Sequence, residues 1–212
     1  MIVGAGGFGR EVADIARDLE DAGDPIRLLG YLDDGRVDEQ RLQAIRATVI
    51  GPSARLRTAN VGFVLAIGLG SIRRSILESV GVSRAVPVTL ISPKASVGSA
   101  TTIGPGCILA AGARVTTGCT LGAHVDLHIN ASVGHDCRFD DFSTVFPGAV
   151  IGGDVHIERE ATIGAAAVVL RGLTIGAGAM VGAGAVVTRD IAAGDVVIGA
   201  PARSLDRQRI DW

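Results

Sequence analysis

The chain has 212 residues, enough for one or two small domains with cores of their own. Its net charge of −2 supplies neither a basic stripe for nucleic acid nor a polybasic membrane anchor. With 48% hydrophobic residues, 30 glycines and only 3% aromatics, the core is expected to be aliphatic and rich in tight turns.

The first residues, MIVGAGGFGRE, lack the basic and apolar regions of a secretory leader. They read as a strand, a Gly4-x-Gly6-x-x-Gly9 turn, and a helix over about residues 10–19 with Val12, Ile15, Ala16 and Leu19 on one face. A second strand, IRLLGYLDD, ends in Asp33 and Asp34, and a third, VGFVLAIGLG, precedes the helix SIRRSILESV. This alternation is the start of a doubly wound α/β fold. The glycines let a turn approach a phosphate at a helix N-terminus, and the acidic pair ends the next strand, where ribose or base edges would lie. A dinucleotide fold needs two such halves, and only one fits before the chain changes character. A mononucleotide-sugar site is therefore favoured over NAD, with a purely structural glycine turn as the alternative.

From Ile91 a strict count of six takes over. Stepping by six gives Val97, Ile103, Leu109, Val115, Leu121, Leu127, Val133, Phe139 and Val145, then Ile151, Ile157, Ile163, Val169, Ile175, Val181 and Val187. None of these seventeen positions is polar. The residue two before each is usually small, and Cys107, Cys119 and Cys137 all fall in that class, so they are expected to be packing residues. Three cysteines without CxxC spacing also fit a reducing cytoplasm. The residue after the aliphatic is often Gly, expected to serve a backbone turn. Neither a helical period of 3.6 nor an alternation of 2 explains six; short strands stacked in a solenoid do. The uncharged stretch between Arg171 and Arg189 is three of these hexads and is shorter than the ~20 residues of a membrane span.

The order GAGGFGREV, YLDD, the hexads, GAVVTRDI and GAPAR resembles the hexapeptide-repeat sugar acyltransferases of the sialic acid O-acetyltransferase type, with the closest likeness to N-acetyltransferases of nucleotide-linked 4-amino sugars such as bacillosamine and perosamine. The resemblance spans residues 1 to about 204 and implies a left-handed parallel β-helix. The expected organisation is an α/β half-Rossmann (βαβαβ) module over 1–86, the β-helix over 87–195, and a tail over 196–212. In that family a His followed by an acidic residue is the general base, and SVGHDC places His135 and Asp136 on the pattern. An amine attacking a thioester must lose a proton, and an imidazole is suited to take it. Three hexads make one coil, so Gly153 stands above His135, where the resemblance implies an oxyanion-stabilising backbone N–H.

The resemblance further implies acetyl-CoA as co-substrate and a homotrimer whose sites lie between subunits; no metal is expected. The nucleotide-linked amino sugar is expected near Gly4, Gly6, Gly9, Asp33, Asp34, Ile67 and Gly68, with His128 in reach of sugar or thioester. The donor arm is expected along Thr144, Gly153, Ala165 and Ala183; Arg203, Arg207 and Arg209 read first as a solvated tail and second as phosphate contacts. His124 and His156 read as solvated rungs. The first alternative to N-acetylation is O-acetylation of a sugar such as a sialic acid by the same machinery, and two other classes share parts of this pattern. A γ-type carbonic anhydrase would need three zinc-ligating His with a pair five apart, whereas the four His here are spaced 4, 7 and 21 apart. A non-catalytic nucleotide-binding scaffold would leave the imidazole without a task.

Overall fold

The computed structural model describes residues 1–82 and 84–205. The front module carries five parallel strands: β1 (Ile2–Val3), β2 (Tyr31–Leu32), β3 (Val49–Gly51), β4 (Gly62–Leu65) and β5 (Val86–Pro87), in the spatial order β3-β2-β1-β4-β5. Helices α1 (Gly7–Asp21), α2 (Glu39–Ala44) and α3 (Gly70–Val80) connect them. Helix α1 buries the face read from the sequence, Val12, Ile15, Ala16 and Leu19, with Gly9 and Ala13 beside it. It begins earlier than its apolar spacing indicates, because Gly6 takes the extended N-cap conformation. A Cβ on Gly9 would strike the Gly4 carbonyl oxygen, so this glycine sets how closely helix and strand approach. Strands β3 and β5, absent from the sequence reading, form the two edges of the sheet.

The second half is a left-handed parallel β-helix of two-residue strands on three faces. The first face runs from Leu90–Ile91 through Asp126–Leu127 to Met180–Val181; the second from Ser96–Val97 to Val186–Val187; the third from Thr102–Ile103 to Thr174–Ile175. Partners lie eighteen residues apart, as in Ser132↔Val150 and Arg138↔His156. The last coil is two residues shorter, with Met180 paired to Val196. Residues 196–205, expected as part of the tail, hold Val196–Ile198 in this ladder and Arg203–Ser204 antiparallel to it.

Every six-count residue from Leu109 to Val187 is buried, together with all the residues two before it but the partly buried Leu173. In the first coil Ile91 and Ile103 are partly buried and Val97 is exposed. The three thiols donate to carbonyl oxygens of Gly122, Gly134 and Gly152 at 3.0–3.2 Å. Burial pushes Cys107 up to about 12 and Cys137 to about 11, so neither forms a thiolate at neutral pH.

The glycines after the aliphatics do not make the turns. A Cβ at Gly134 would come within 2.6 Å of the backbone of the coil above, so these glycines allow coils to stack. The left-handed turn residue comes three after the aliphatic, and several of these are not glycine: His124, Asn130, Asp136 and Asp154 among them. Asn, Asp and His enter this region more readily than other side chains.

The front module docks on the first face. Leu90, Ile108 and Ala110 share one apolar cluster with Ile2, Val12, Ile15 and Tyr31. Ion pairs flank the joint: Arg74 to Glu160 at 2.6 Å and Lys94 to Asp18 at 2.8 Å.

Candidate active site

His135 and Asp136 occupy the corner between the second and third faces. The left-handed backbone at Asp136 (φ 59°) turns its carboxylate back on its neighbour, and Oδ2 lies 2.8 Å from His135 Nδ1. A carboxylate at this distance favours the tautomer with the proton on Nδ1, which leaves Nε2 as the free acceptor. Both side chains are exposed, at 59% and 64%. Two glycines seat them. A Cβ on Gly153, one coil above, would lie 2.5 Å from Nε2, and a Cβ on Gly118, one coil below, would strike the Asp136 carboxylate. Gly118 was missed in the sequence, although the same eighteen-residue spacing from Asp136 points to it.

The other predicted residues do not gather here. His128 is buried, stacked between Phe8 (centroids 4.1 Å apart) and Phe146 (4.8 Å). His124, read as a solvated rung, is likewise buried and stacks on Phe142 at 5.0 Å. Both corrections have one cause: the front module covers the first face. Thr144, expected along the donor arm, is fully buried under the same cover, and its hydroxyl donates to the Gly68 carbonyl at 2.8 Å. It braces the joint rather than facing a ligand. His156 is half-buried with Nε2 3.0 Å from Asp140.

Desolvation is the largest cause holding both buried imidazoles down to about 4, with the Arg73 charge adding to it. Between pH 6.5 and 4 the unfolded chain therefore takes up protons that folded His124 and His128 refuse, and stability falls as pH falls. Asp126, raised to about 7 by burial, acts with the opposite sign, so about one net proton remains. His128→Phe is expected to lose one of these protons. Its stability relative to the parent should rise by about 1 kcal/mol per pH unit on going from pH 6.5 to 4, read from urea midpoints; a constant difference would contradict the assignment.

On the front module, Gly6 and Gly7 have open space over them, and no side chain caps the α1 N-terminus. Gly4 (φ 100°) turns the chain beside the Ala66 carbonyl. Asp33 accepts backbone N–H groups of Ala5 (2.7 Å) and Gly35 (2.8 Å), and Asp34 accepts that of Ser53 (3.0 Å), so both carboxylates brace the loops around the turn. A cavity of about 380 Å³ beside Asp33 is lined by Gly35, Val37, Leu42 and Thr48. The Ile67 and Gly68 carbonyls accept from Arg73. Ala165 and Ala183 stack at the corner between the first and second faces, so within one chain the whole second face separates them from His135. Arg203 is exposed; Arg207 and Arg209 lie outside the described residues. Among the described residues no cluster of three or more His, Cys, Asp or Glu is placed to hold a metal ion, and no helix is long and apolar enough to cross a membrane.

Comparison with known proteins agrees with this architecture. Residues 1–80 match the PglD N-terminal domain. The chain is 32% identical over 115 residues to UDP-N-acetylbacillosamine N-acetyltransferase from Bacillus subtilis (strain 168), a match that spans 52% of this chain and about half of that protein (50%). The acetyltransferase domain of PglB from Neisseria gonorrhoeae FA1090 superposes with a TM-score of 0.85 at 34% identity, covering 96% of this chain and 98% of that one, and its structure with acetyl coenzyme A scores 0.84. PerB from Caulobacter crescentus, solved with CoA and GDP-perosamine, superposes with a TM-score of 0.82 at 27% identity, covering 96% and 95%. Matching nearly the full length of these domains, at 34% identity to the acetyltransferase domain of PglB, the chain belongs to the hexapeptide-repeat sugar acyltransferases of the PglD and PerB type.

Proposed function

We propose that the protein transfers the acetyl group of acetyl-CoA to the amino group of a nucleotide-linked 4-amino sugar, with His135 as general base. The observation that carries this reading is the exposed imidazole held through Nδ1 by Asp136 over the bare backbone of Gly153. The neutral amine attacks the thioester carbonyl carbon, the C=O electrons move to oxygen, and Nε2 accepts a proton from the attacking nitrogen. Asp136 stabilises the imidazolium that results. The Gly153 N–H makes no backbone hydrogen bond among the described residues and is free to meet the oxyanion. Collapse breaks the C–S bond, and the imidazolium returns its proton to the departing thiolate, so the enzyme forms no covalent intermediate. The donor and acceptor of this reaction are bound by PglB and PerB, respectively, in their structures.

In this reading residues 1–86 take the nucleotide and 87–195 carry out the chemistry in the cytoplasm. The Gly6 turn borders the first face, Ala165 and Ala183 the corner beyond it, and His135 the next corner. One chain thus spreads the expected site over three places. A parallel homotrimer would set the imidazole of one copy against the first corner of its neighbour. The test is incubation with acetyl-CoA and a panel of UDP-, GDP- and dTDP-amino sugars, followed by mass spectrometry. A gain of one acetyl group that resists hydroxylamine supports N-acetylation; a hydroxylamine-labile gain indicates an O-acetyltransferase; no gain with any acceptor contradicts the reading.

A further inference from the structure

At the corner that holds His135, the N–H groups of Thr117, His135 and Gly153 enter no backbone hydrogen bond among the described residues. The carbonyls of the same three peptide units are each met by a side chain from fifteen residues earlier. Thr101 Oγ1 donates to Thr116 at 3.0 Å, Cys119 Sγ to Gly134 at 3.2 Å and Cys137 Sγ to Gly152 at 3.0 Å. The next two residues of this column, Val155 and Leu173, carry no donor. The series therefore stops at the peptide whose N–H belongs to Gly153. The buried Cys137 thiol has one proton and two acceptors in reach. The His135 carbonyl, at 3.7 Å, already accepts the Asp154 N–H at 2.7 Å. The Gly152 carbonyl is nearer and accepts no backbone N–H among the described residues.

We propose that Cys137 is a positioning residue for acetyl transfer: its S–H, given to the Gly152 carbonyl, fixes the Gly152–Gly153 peptide plane and polarises the Gly153 N–H toward the oxyanion. The assignment rests on the reading that this N–H meets the oxyanion. The peptide joins two glycines, whose backbone freedom would otherwise let its plane swing. A hydrogen bond accepted by a carbonyl draws electron density out of the C–N bond, so the N–H of the same peptide becomes a stronger donor. That gain matters most where negative charge develops in the transition state, and least in the bound thioester. The thiol itself stays a donor rather than a nucleophile, because burial pushes it up to about 11. A hydroxyl also fits this place in a coil: Thr101 and Thr89 make the equivalent bonds at 3.0 and 2.8 Å.

The experiment compares the parent chain with Cys137→Ala, Cys137→Ser and, as a control, Cys107→Ala, which loses the 3.1 Å bond to Gly122 at another corner. Cys137→Ala is expected to lower kcat about three- to tenfold with both KM values and the pH profile of kcat/KM unchanged. Cys137→Ser should restore most of the parent kcat, and Cys107→Ala should keep it within about twofold. NMR reads the bond itself without substrate. A carbonyl that accepts a hydrogen bond deshields the nitrogen that follows it. The Gly153 nitrogen should therefore move upfield in Cys137→Ala, return in Cys137→Ser and stay in place in Cys107→Ala. An unchanged kcat in Cys137→Ala overturns the assignment, as does a serine variant as slow as the alanine one or a loss carried by KM. A shifted base pKa in the pH profile places the thiol under the imidazole instead and also overturns it. A parent chain that transfers no acetyl group overturns the functional reading and this role with it, whereas an unmoved Gly153 nitrogen overturns the role alone.

Discussion

Replacing His135 by alanine is expected to lower kcat for acetyl transfer by about 10²–10⁴-fold, the usual contribution of a positioned general base. The imidazole is exposed, lies against Gly153 and pairs with one carboxylate, so its loss is expected to leave the coil ladder intact and the melting temperature within about a degree or two of the parent. Activity and folding thus separate cleanly at this position. Asp136→Asn should cost less than His135→Ala, because it weakens the hold on Nδ1 without removing the base. A His135→Ala variant that keeps more than a tenth of the parent kcat would remove the imidazole from the mechanism.

The largest effect on stability is expected at Arg73. Its guanidinium, fully buried where the front module meets the first face, lies 2.8 Å from the equally buried Asp126. It donates to the carbonyls of Ile67, Gly68, His124 and Phe142 at 2.6–3.1 Å, and to the Thr144 hydroxyl at 3.1 Å. Burial lowers Arg73 from the usual guanidinium range, yet it stays charged; burial raises Asp126 to about 7 against the attraction of that charge. Removing one partner of such a pair strands the other without water, at a cost of about 3–5 kcal/mol. Against a typical total of about 5–15 kcal/mol, Arg73→Met should leave a marginal fold or undock the front module. The double variant Arg73→Met/Asp126→Leu should recover part of the loss, since apolar groups tolerate the site, while the abandoned carbonyls keep the recovery incomplete. Urea unfolding of the parent and both variants decides the matter. A single-variant loss below about 1 kcal/mol would show that the joint is held by its apolar cluster alone.

The contrast between these two residues shows what could be read from the chain. The seat of His135 was legible because it is local, an acidic neighbour and a glycine eighteen residues on, while its reading as a base came from the resemblance. The β-helix was legible for the same reason, since each inward aliphatic recurs at a fixed step and the small residues track it. Arg73 was not. In SIRRSILESV it reads as one more polar residue of an amphipathic helix, and only the docking of that helix against carbonyls some fifty to seventy residues away buries it. His124, His128 and Thr144 were misjudged and Asp126 was passed over, because a hexad shows which residues point outward but not which outward face another module covers. The glycines after the aliphatics were found by pattern and misassigned by cause, since close stacking and turning both select against a Cβ. Helix α2 and the edge strands β3 and β5, each six residues or shorter, are too brief to impose a period.

The measurement that bears most directly on the central claim is a crystal structure of the protein with CoA and a nucleotide-linked 4-amino sugar bound together. The account predicts the sugar amino nitrogen within about 2.6–3.2 Å of His135 Nε2, with the CoA sulfur beside Gly153. An amino group bound on another face of the prism, with this imidazole open to solvent, would contradict it.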